Sequence, residues 1–320
     1  MPLIKGSSYQ KPRYLINQHL ETILPSMTRQ VEAMPKKVRK RIETPDNDFL
    51  DLDECTQGSN KAVIISHGLE GDSNRPYVLG MAKRFYEMGW DVFAWNYRSC
   101  GGEMNYQPIM YHSGATYDLE TVVQYVYNKS YSLLSLIGFS LGANMTLKYL
   151  GEYETKGIID NAVAISAPLD LAGCSKEIDA PKNRFYAKRF LDSLTDKIKQ
   201  KVRSIPNLLP HLDELTFQSL YHFDDAVTGP LHGFEGADHY YEVNSSMQFI
   251  NSINIPTLVI NAQNDPFLSP SCYSTSNFQS SEHVYLEMPK FGGHVGFSKH
   301  GSKQIYWSEE RALRFITLQH

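Results

Sequence analysis

Short, uniformly apolar runs recur along the chain, and most are followed by a stretch with helical spacing. Lys61-Ala62-Val63-Ile64-Ile65-Ser66 is too short for a helix and too evenly apolar for a strand with one wet face. It therefore predicts a buried parallel strand. The same reading applies to 91–98, to the run from Leu133 to Phe139, and to 162–168, 255–262 and 284–288. Between them, 77–88 and 118–128 place apolar residues at helical intervals. Gly89 closes the first of these helices, and Thr116 or Asp118 caps the start of the second. A closing helix is predicted over 309–318. Strands and helices alternating at this spacing predict an α/β fold: a mostly parallel central sheet with helices on both faces.

The rhythm breaks twice. Residues 1–45, punctuated by Pro2, Pro12, Pro25 and Pro35, read as an arm packing on the core, with room only for short helical patches such as 16–24. Residues 48–55 alternate Phe49, Leu50 and Leu52 with acidic residues, which predicts a peripheral strand. From 169 to 247 strand candidates vanish and helical patterns take over at 183–194, 195–205 and 211–220. This segment is expected to be a helical cap inserted over the carboxyl ends of the strands, leaving 46–168 and 248–320 as the core. Its aromatic residues (Phe217, Tyr221, Phe223, Phe234, Tyr240, Tyr241) fit a pocket lining or the cap's own core equally well.

A length of 320 residues suffices for one large domain with an insertion, and a net charge of −4 argues against general nucleic-acid affinity. The one basic run, Lys36 to Arg41, reads as a solvated face or linker, or as a contact with an anionic partner or membrane surface. Cys55, Cys100, Cys174 and Cys272 form no C-x-x-C pair, so neither a zinc site nor a disulfide framework is expected. No leader pattern or membrane-length apolar run is present, and a cytoplasmic protein without a transmembrane segment is the expectation.

The chemistry gathers around Gly138-Phe139-Ser140-Leu141-Gly142. An apolar strand enters this pentapeptide and a helical pattern leaves it, the arrangement of a nucleophile elbow. Side chains at Gly138 or Gly142 would collide with neighbouring backbone, while the turn lifts the Ser140 hydroxyl above the sheet. A serine needs a base, and the base needs a group to hold its tautomer. Asp265 follows the strand at 255–262, and His294 follows the strand at 284–288. Order and strand-end placement make Ser140, Asp265 and His294 the candidate nucleophile, acid and base. Asp225 and Asp238 are rival acids but fall in the cap. Backbone N–H groups of Leu141 and Leu69 are the candidate oxyanion donors, with Glu70 the alternative to Leu69. His67 reads as a brace for that loop rather than a base. No histidine has metal-ligand spacing, so neither a metal nor a cofactor is expected.

These motifs resemble those of the YheT-like α/β-hydrolases. The resemblance runs almost end to end: Asn17-Gln18-His19-Leu20-Glu21-Thr22-Ile23, His67-Gly68-Leu69-Glu70-Gly71, Arg98-Ser99-Cys100-Gly101-Gly102, Tyr111-His112-Ser113-Gly114, the elbow, Ser166-Ala167-Pro168, Phe223-Asp224-Asp225 with Thr228, Asp265-Pro266-Phe267, and Gly292 to Phe297. Glu21 stands where such proteins often carry Gln, and Ser99 where Gly is common. The resemblance implies an α/β-hydrolase fold, the triad Ser140, Asp265 and His294, and hydrolysis of short-chain or lipid-like acyl esters. Peripheral membrane contact is compatible with it. An acyltransferase and a non-catalytic binding protein on the same fold are the alternatives. The Asn17-to-Ile23 motif has no chemical account from sequence; packing of the arm on the core is the expectation.

Overall fold

The computed structural model describes residues 3–205, 207–209, 216–299 and 305–318. Helix α1 (Gln18–Thr28) precedes strands β1 (Val38–Glu43), β2 (Phe49–Cys55) and β3 (Lys61–Ser66). Then follow α2 (Pro76–Glu87), β4 (Asp91–Asn96), α3 (Thr116–Tyr127), β5 (Leu133–Phe139), α4 (Leu141–Glu152) and β6 (Asn161–Ile165). Helices α5 (Leu171–Asp179) and α6 (Arg184–Ser204) open the long segment before β7 (Thr257–Ile260), β8 (Val284–Glu287) and the closing helix Trp307–Thr317.

The eight strands form one sheet in the order β1-β2-β4-β3-β5-β6-β7-β8. Pairing is parallel from β4 through β8, and β2 runs antiparallel to both its neighbours. Alternate residues feed two cores. Ile64, Phe93 and Leu136 pack with Leu119, Val122 and Met145 of α3 and α4 on one face. Val63, Ile65, Ile137 and Val163 pack with Met81 and Phe85 of α2 and with Leu313 and Ile316 on the other. Burial on both faces explains why these strands read as continuous apolar runs.

Several expectations need correction. The strand at 48–55 is not peripheral: all seven residues of β2 are buried, because β1 covers its outer edge. Residues 38–43, expected in the arm, are that edge strand, and the basic run is a solvated face rather than a linker: Val38 to Arg41 are exposed, with the Arg39 and Arg41 cations paired across to the next strand. Arg39 pairs with Asp53 at 2.8 Å, Arg41 with Asp51 at 2.9 Å, and Lys37 with Asp53 at 2.9 Å. An edge strand studded with cations also discourages pairing with a second sheet. Neither Thr116 nor Asp118 caps α3: the helix starts at Thr116 with Ala115 as its cap and no side-chain cap bond, and the Asp118 carboxylate is bonded to Arg98 at 2.7 Å. The helices expected at 183–194 and 195–205 are one helix, α6, of 21 residues. The helix expected at 211–220 lies outside the described residues over 211–215, and 216–218 are irregular. Of the six aromatics, Tyr240 and Tyr241 line a cavity, Phe217, Phe223 and Phe234 pack into apolar clusters, and Tyr221 is exposed.

Candidate active site

Strand β5 and helix α4 meet at Ser140, whose backbone sits at φ +52° and ψ −119°. Few residues tolerate that conformation, and here the surroundings impose it. A Cβ on Gly138 would stand 2.3 Å from the Gly142 carbonyl oxygen, and one on Gly142 would stand 2.5 Å from the His67 carbonyl oxygen. The Ser140 N–H donates to the Ile165 carbonyl at 2.9 Å, which pins the turn to β6.

The three residues expected to converge do so. His294 Nε2 lies 2.8 Å from Ser140 Oγ, and its Nδ1 lies 2.8 Å from Asp265 Oδ2 and 3.1 Å from Oδ1. The Asp265 side chain is fully buried, and its Oδ1 also accepts the Phe267 N–H at 2.9 Å. The Phe267 ring packs against the imidazole with centroids 4.4 Å apart. Neither rival acid joins this row. Asp225 accepts the Ala237 N–H at 3.0 Å, and Asp238 is exposed.

The loop after β3 is pinned on every side except one. The Gly68 N–H donates to Tyr77 Oη at 2.9 Å and the Glu70 N–H to Tyr111 Oη at 3.0 Å. Between them the Leu69 N–H has no partner among the described residues, and neither does the Leu141 N–H at the start of α4. The amide of Glu70, the alternative donor, is therefore already engaged. His67 is fully buried, with Nδ1–H donating to the Gly68 carbonyl at 2.8 Å and Nε2 accepting from the Tyr97 N–H at 3.3 Å. Burial pushes its pKa down to about 3, so it stays neutral as a brace.

Two spaces meet at Ser140 and His294. An inner cavity of about 110 Å³ is lined by Leu69, Leu141, Leu171, Leu194, Leu220 and Phe267 among others. A larger outer cleft of about 600 Å³ runs between α1 and α6. Asp224 lies at the inner cavity, hydrogen-bonded by Thr228 and Tyr241, and burial raises its carboxyl to about 6. Cys174 and Cys272, distant in sequence, bring their Sγ atoms to 3.4 Å as free thiols. Among the described residues no group of three or more His, Cys, Asp or Glu side chains is placed to hold a metal ion. Likewise no described helix is long and apolar enough to cross a membrane.

Sequence reasoning missed two sets of contacts. Glu21 and Thr22 of α1 touch the loops that carry Asp265 and His294. Glu70 touches α6 through Ser193 and Lys197. The Asn17-to-Ile23 motif was the available signal for the first set; nothing in sequence spacing points to the second.

Residues 61–300 match the family described as alpha/beta hydrolase fold. The chain is 33% identical over 312 residues to YheT, a candidate esterase of Escherichia coli (strain K12), covering 94% of this chain and 90% of that protein. It is 27% identical over 299 residues to a monoacylglycerol lipase of Saccharomyces cerevisiae, covering 89% of this chain and 64% of the lipase. The Pyrococcus furiosus esterase Pf2001 superposes with a TM-score of 0.60 at 18% identity, over 89% of this chain and 91% of the esterase, a likeness of fold alone. The chain belongs to the α/β-hydrolase fold family, in its YheT-like group.

Proposed function

We propose that the protein is a serine carboxylesterase that cleaves acyl esters through an acyl-enzyme intermediate. One observation carries this reading: the unbroken hydrogen-bonded row from Ser140 through His294 to Asp265, with the unpartnered amides of Leu69 and Leu141 bordering the same cavity. Ser140 Oγ attacks the ester carbonyl carbon while His294 Nε2 takes the hydroxyl proton. Asp265 holds the Nδ1–H tautomer and stabilises the cation that forms. The Leu69 and Leu141 amides receive the developing oxyanion. His294 then returns the proton to the leaving alcohol. A water, deprotonated by the same nitrogen, attacks the acyl carbon; the bond to Ser140 Oγ then breaks, Oγ takes the proton back from His294 Nε2, and the acid is released.

The two spaces suit the two halves of an ester. The apolar inner cavity is assigned to the acyl chain, and the outer cleft to the alcohol and to solvent exchange. The lipase activity named for the yeast relative supports a lipid-like acyl ester as the substrate class. The test is labelling by a fluorophosphonate probe, read by mass spectrometry, together with turnover of p-nitrophenyl esters. An adduct on Ser140 and ester turnover, both absent in Ser140→Ala, are expected. Absence of any adduct on Ser140 in the unsubstituted chain, or full turnover by Ser140→Ala, overturns the assignment.

A further inference from the structure

The arm residues Glu21 and Thr22 reach across the molecule to both loops of the site. Glu21 Oε2 accepts the Gly292 N–H at 2.6 Å and Asn264 Nδ2–H at 3.1 Å, while Oε1 is 3.3 Å from Lys11 Nζ. Asn264, the neighbour of Asp265, accepts the Gly293 N–H at 3.1 Å with its own Oδ1. Thr22 Oγ1 accepts the backbone N–H of His294 at 2.9 Å and donates to the Gln18 carbonyl at 2.8 Å. One turn of α1 thus bonds to the residue before the acid, to the histidine itself, and to the glycine two residues before it.

The packing leaves no slack. At Gly293 (φ +56°) a Cβ would lie 2.7 Å from Thr22 Oγ1, and at Gly296 one would lie 2.1 Å from the Glu21 carbonyl oxygen. Asn17 starts the helix by accepting the Leu20 N–H at 3.0 Å, which fixes where Glu21 and Thr22 point. An arm that merely covered apolar surface would be served by apolar side chains. Instead a carboxylate only 1% exposed is spent on loop amides, a costly burial unless each oxygen is bonded.

We propose that Glu21 and Thr22 are positioning residues that set the spacing between Asp265 and His294, so that the N-terminal arm is a working part of the catalytic apparatus. The proposal rests on the reading of Ser140, Asp265 and His294 as a triad. Thr22 holds the His294 backbone, Glu21 holds the loop that leads to it, and Asn264 passes the same constraint to the acid. Misplacement of a catalytic group by an ångström costs roughly a hundredfold in rate, so loss of a single brace is expected to cost about tenfold or more.

Four variants of the full chain test this: Glu21→Leu and Thr22→Val, which remove the acceptor, and Glu21→Gln and Thr22→Ser, which keep one. Three readouts are taken: kcat and KM on a p-nitrophenyl ester, the rate of fluorophosphonate labelling, and amide hydrogen exchange over residues 292–294. In the acceptor-less pair kcat should fall about tenfold or more with KM within about twofold, labelling should slow by the same factor, and exchange of the loop should accelerate. The Gln and Ser variants should stay within about threefold of the parent. Equal activity per folded molecule in Thr22→Val and the parent overturns the proposal. So does a Glu21→Gln variant as slow as Glu21→Leu. If the parent itself takes no probe, the hydrolase reading falls, and the exchange data alone then decide the brace: unchanged exchange in Thr22→Val refutes it.

Discussion

Lys197 Nζ stands 2.6 Å from Glu70 Oε1, and this contact fastens α6 to the residue that follows Leu69. The Glu70 carboxylate also accepts from Tyr111 Oη at 2.6 Å and from Ser193 Oγ, and its backbone sits at φ +51°. A strained backbone beside an unpartnered amide is held in place by a helix that walls both spaces at the site.

Lys197→Met should therefore loosen the Leu69 amide as well as lower stability. Burial alone would raise the Glu70 carboxyl; Lys197, Ser193 and Tyr111 reverse that and leave it below its ordinary value. A carboxyl lowered by folding stabilises the protein above the ordinary glutamate range and loses that contribution as pH falls through its folded value. Removing the lysine is expected to cost about 2 kcal/mol near neutrality, less than for a fully buried pair. The gap from the parent should close as pH drops below about 4. Urea titrations at several pH values measure it. A gap independent of pH would show that the ion pair contributes nothing to folding.

Ser140 separates strain from chemistry. Both Ser140→Ala and Ser140→Gly should lose ester turnover by about a thousandfold or more. Glycine alone accepts φ +52° and ψ −119° without penalty, so Ser140→Gly should be the more stable of the two by about 1 kcal/mol. Thermal unfolding of the pair checks this. An alanine variant as stable as the glycine variant would mean that the elbow carries no strain.

The positions of Ser140, Asp265 and His294 were legible because each sits in the turn or loop that follows an apolar strand run, and the chain order leaves few other choices. Long-range contacts left no such mark. Glu21 and Gly292 are 271 residues apart, and no periodicity relates them. Strand β1 was hidden by its charges: Lys36 to Arg41 is solvated, and only Asp51 and Asp53 opposite Arg41 and Arg39 show that it is also a strand. Sequence spacing divides α6 in two at Leu194-Thr195, where Thr195-Asp196 resembles a helix start. Packing of Leu191, Leu194 and Ile198 against Phe223 and Val227 carries the helix through that point.

Asp224 predicts a pH dependence of the opposite sign to that of Glu70. Its carboxyl, raised by burial to about 6, ionises in the unfolded chain before it does in the folded one. The stability it contributes is full below the ordinary aspartate range and is lost as pH rises through about 6. Asp224→Asn should flatten this decline between about pH 4 and 6. Denaturation midpoints across that window, parent against variant, give the comparison. Parallel curves would place the ionisation elsewhere.

The assignment of the inner cavity to the acyl chain makes the sharpest demand on substrate preference. With about 110 Å³ available, the space is sensitive to any added side-chain volume, and Leu171 lines it at the start of α5. Leu171→Trp should fill much of it without touching Ser140, His294 or the two amides. Turnover of a p-nitrophenyl acetate should stay within about threefold of the parent, while that of an octanoate falls about tenfold or more. The ratio of the two rates is the readout, because a general loss of folded enzyme lowers both alike. An octanoate rate that falls no further than the acetate rate would move the acyl chain to the outer cleft, between Met27 and Phe185, and leave the inner cavity to the alcohol.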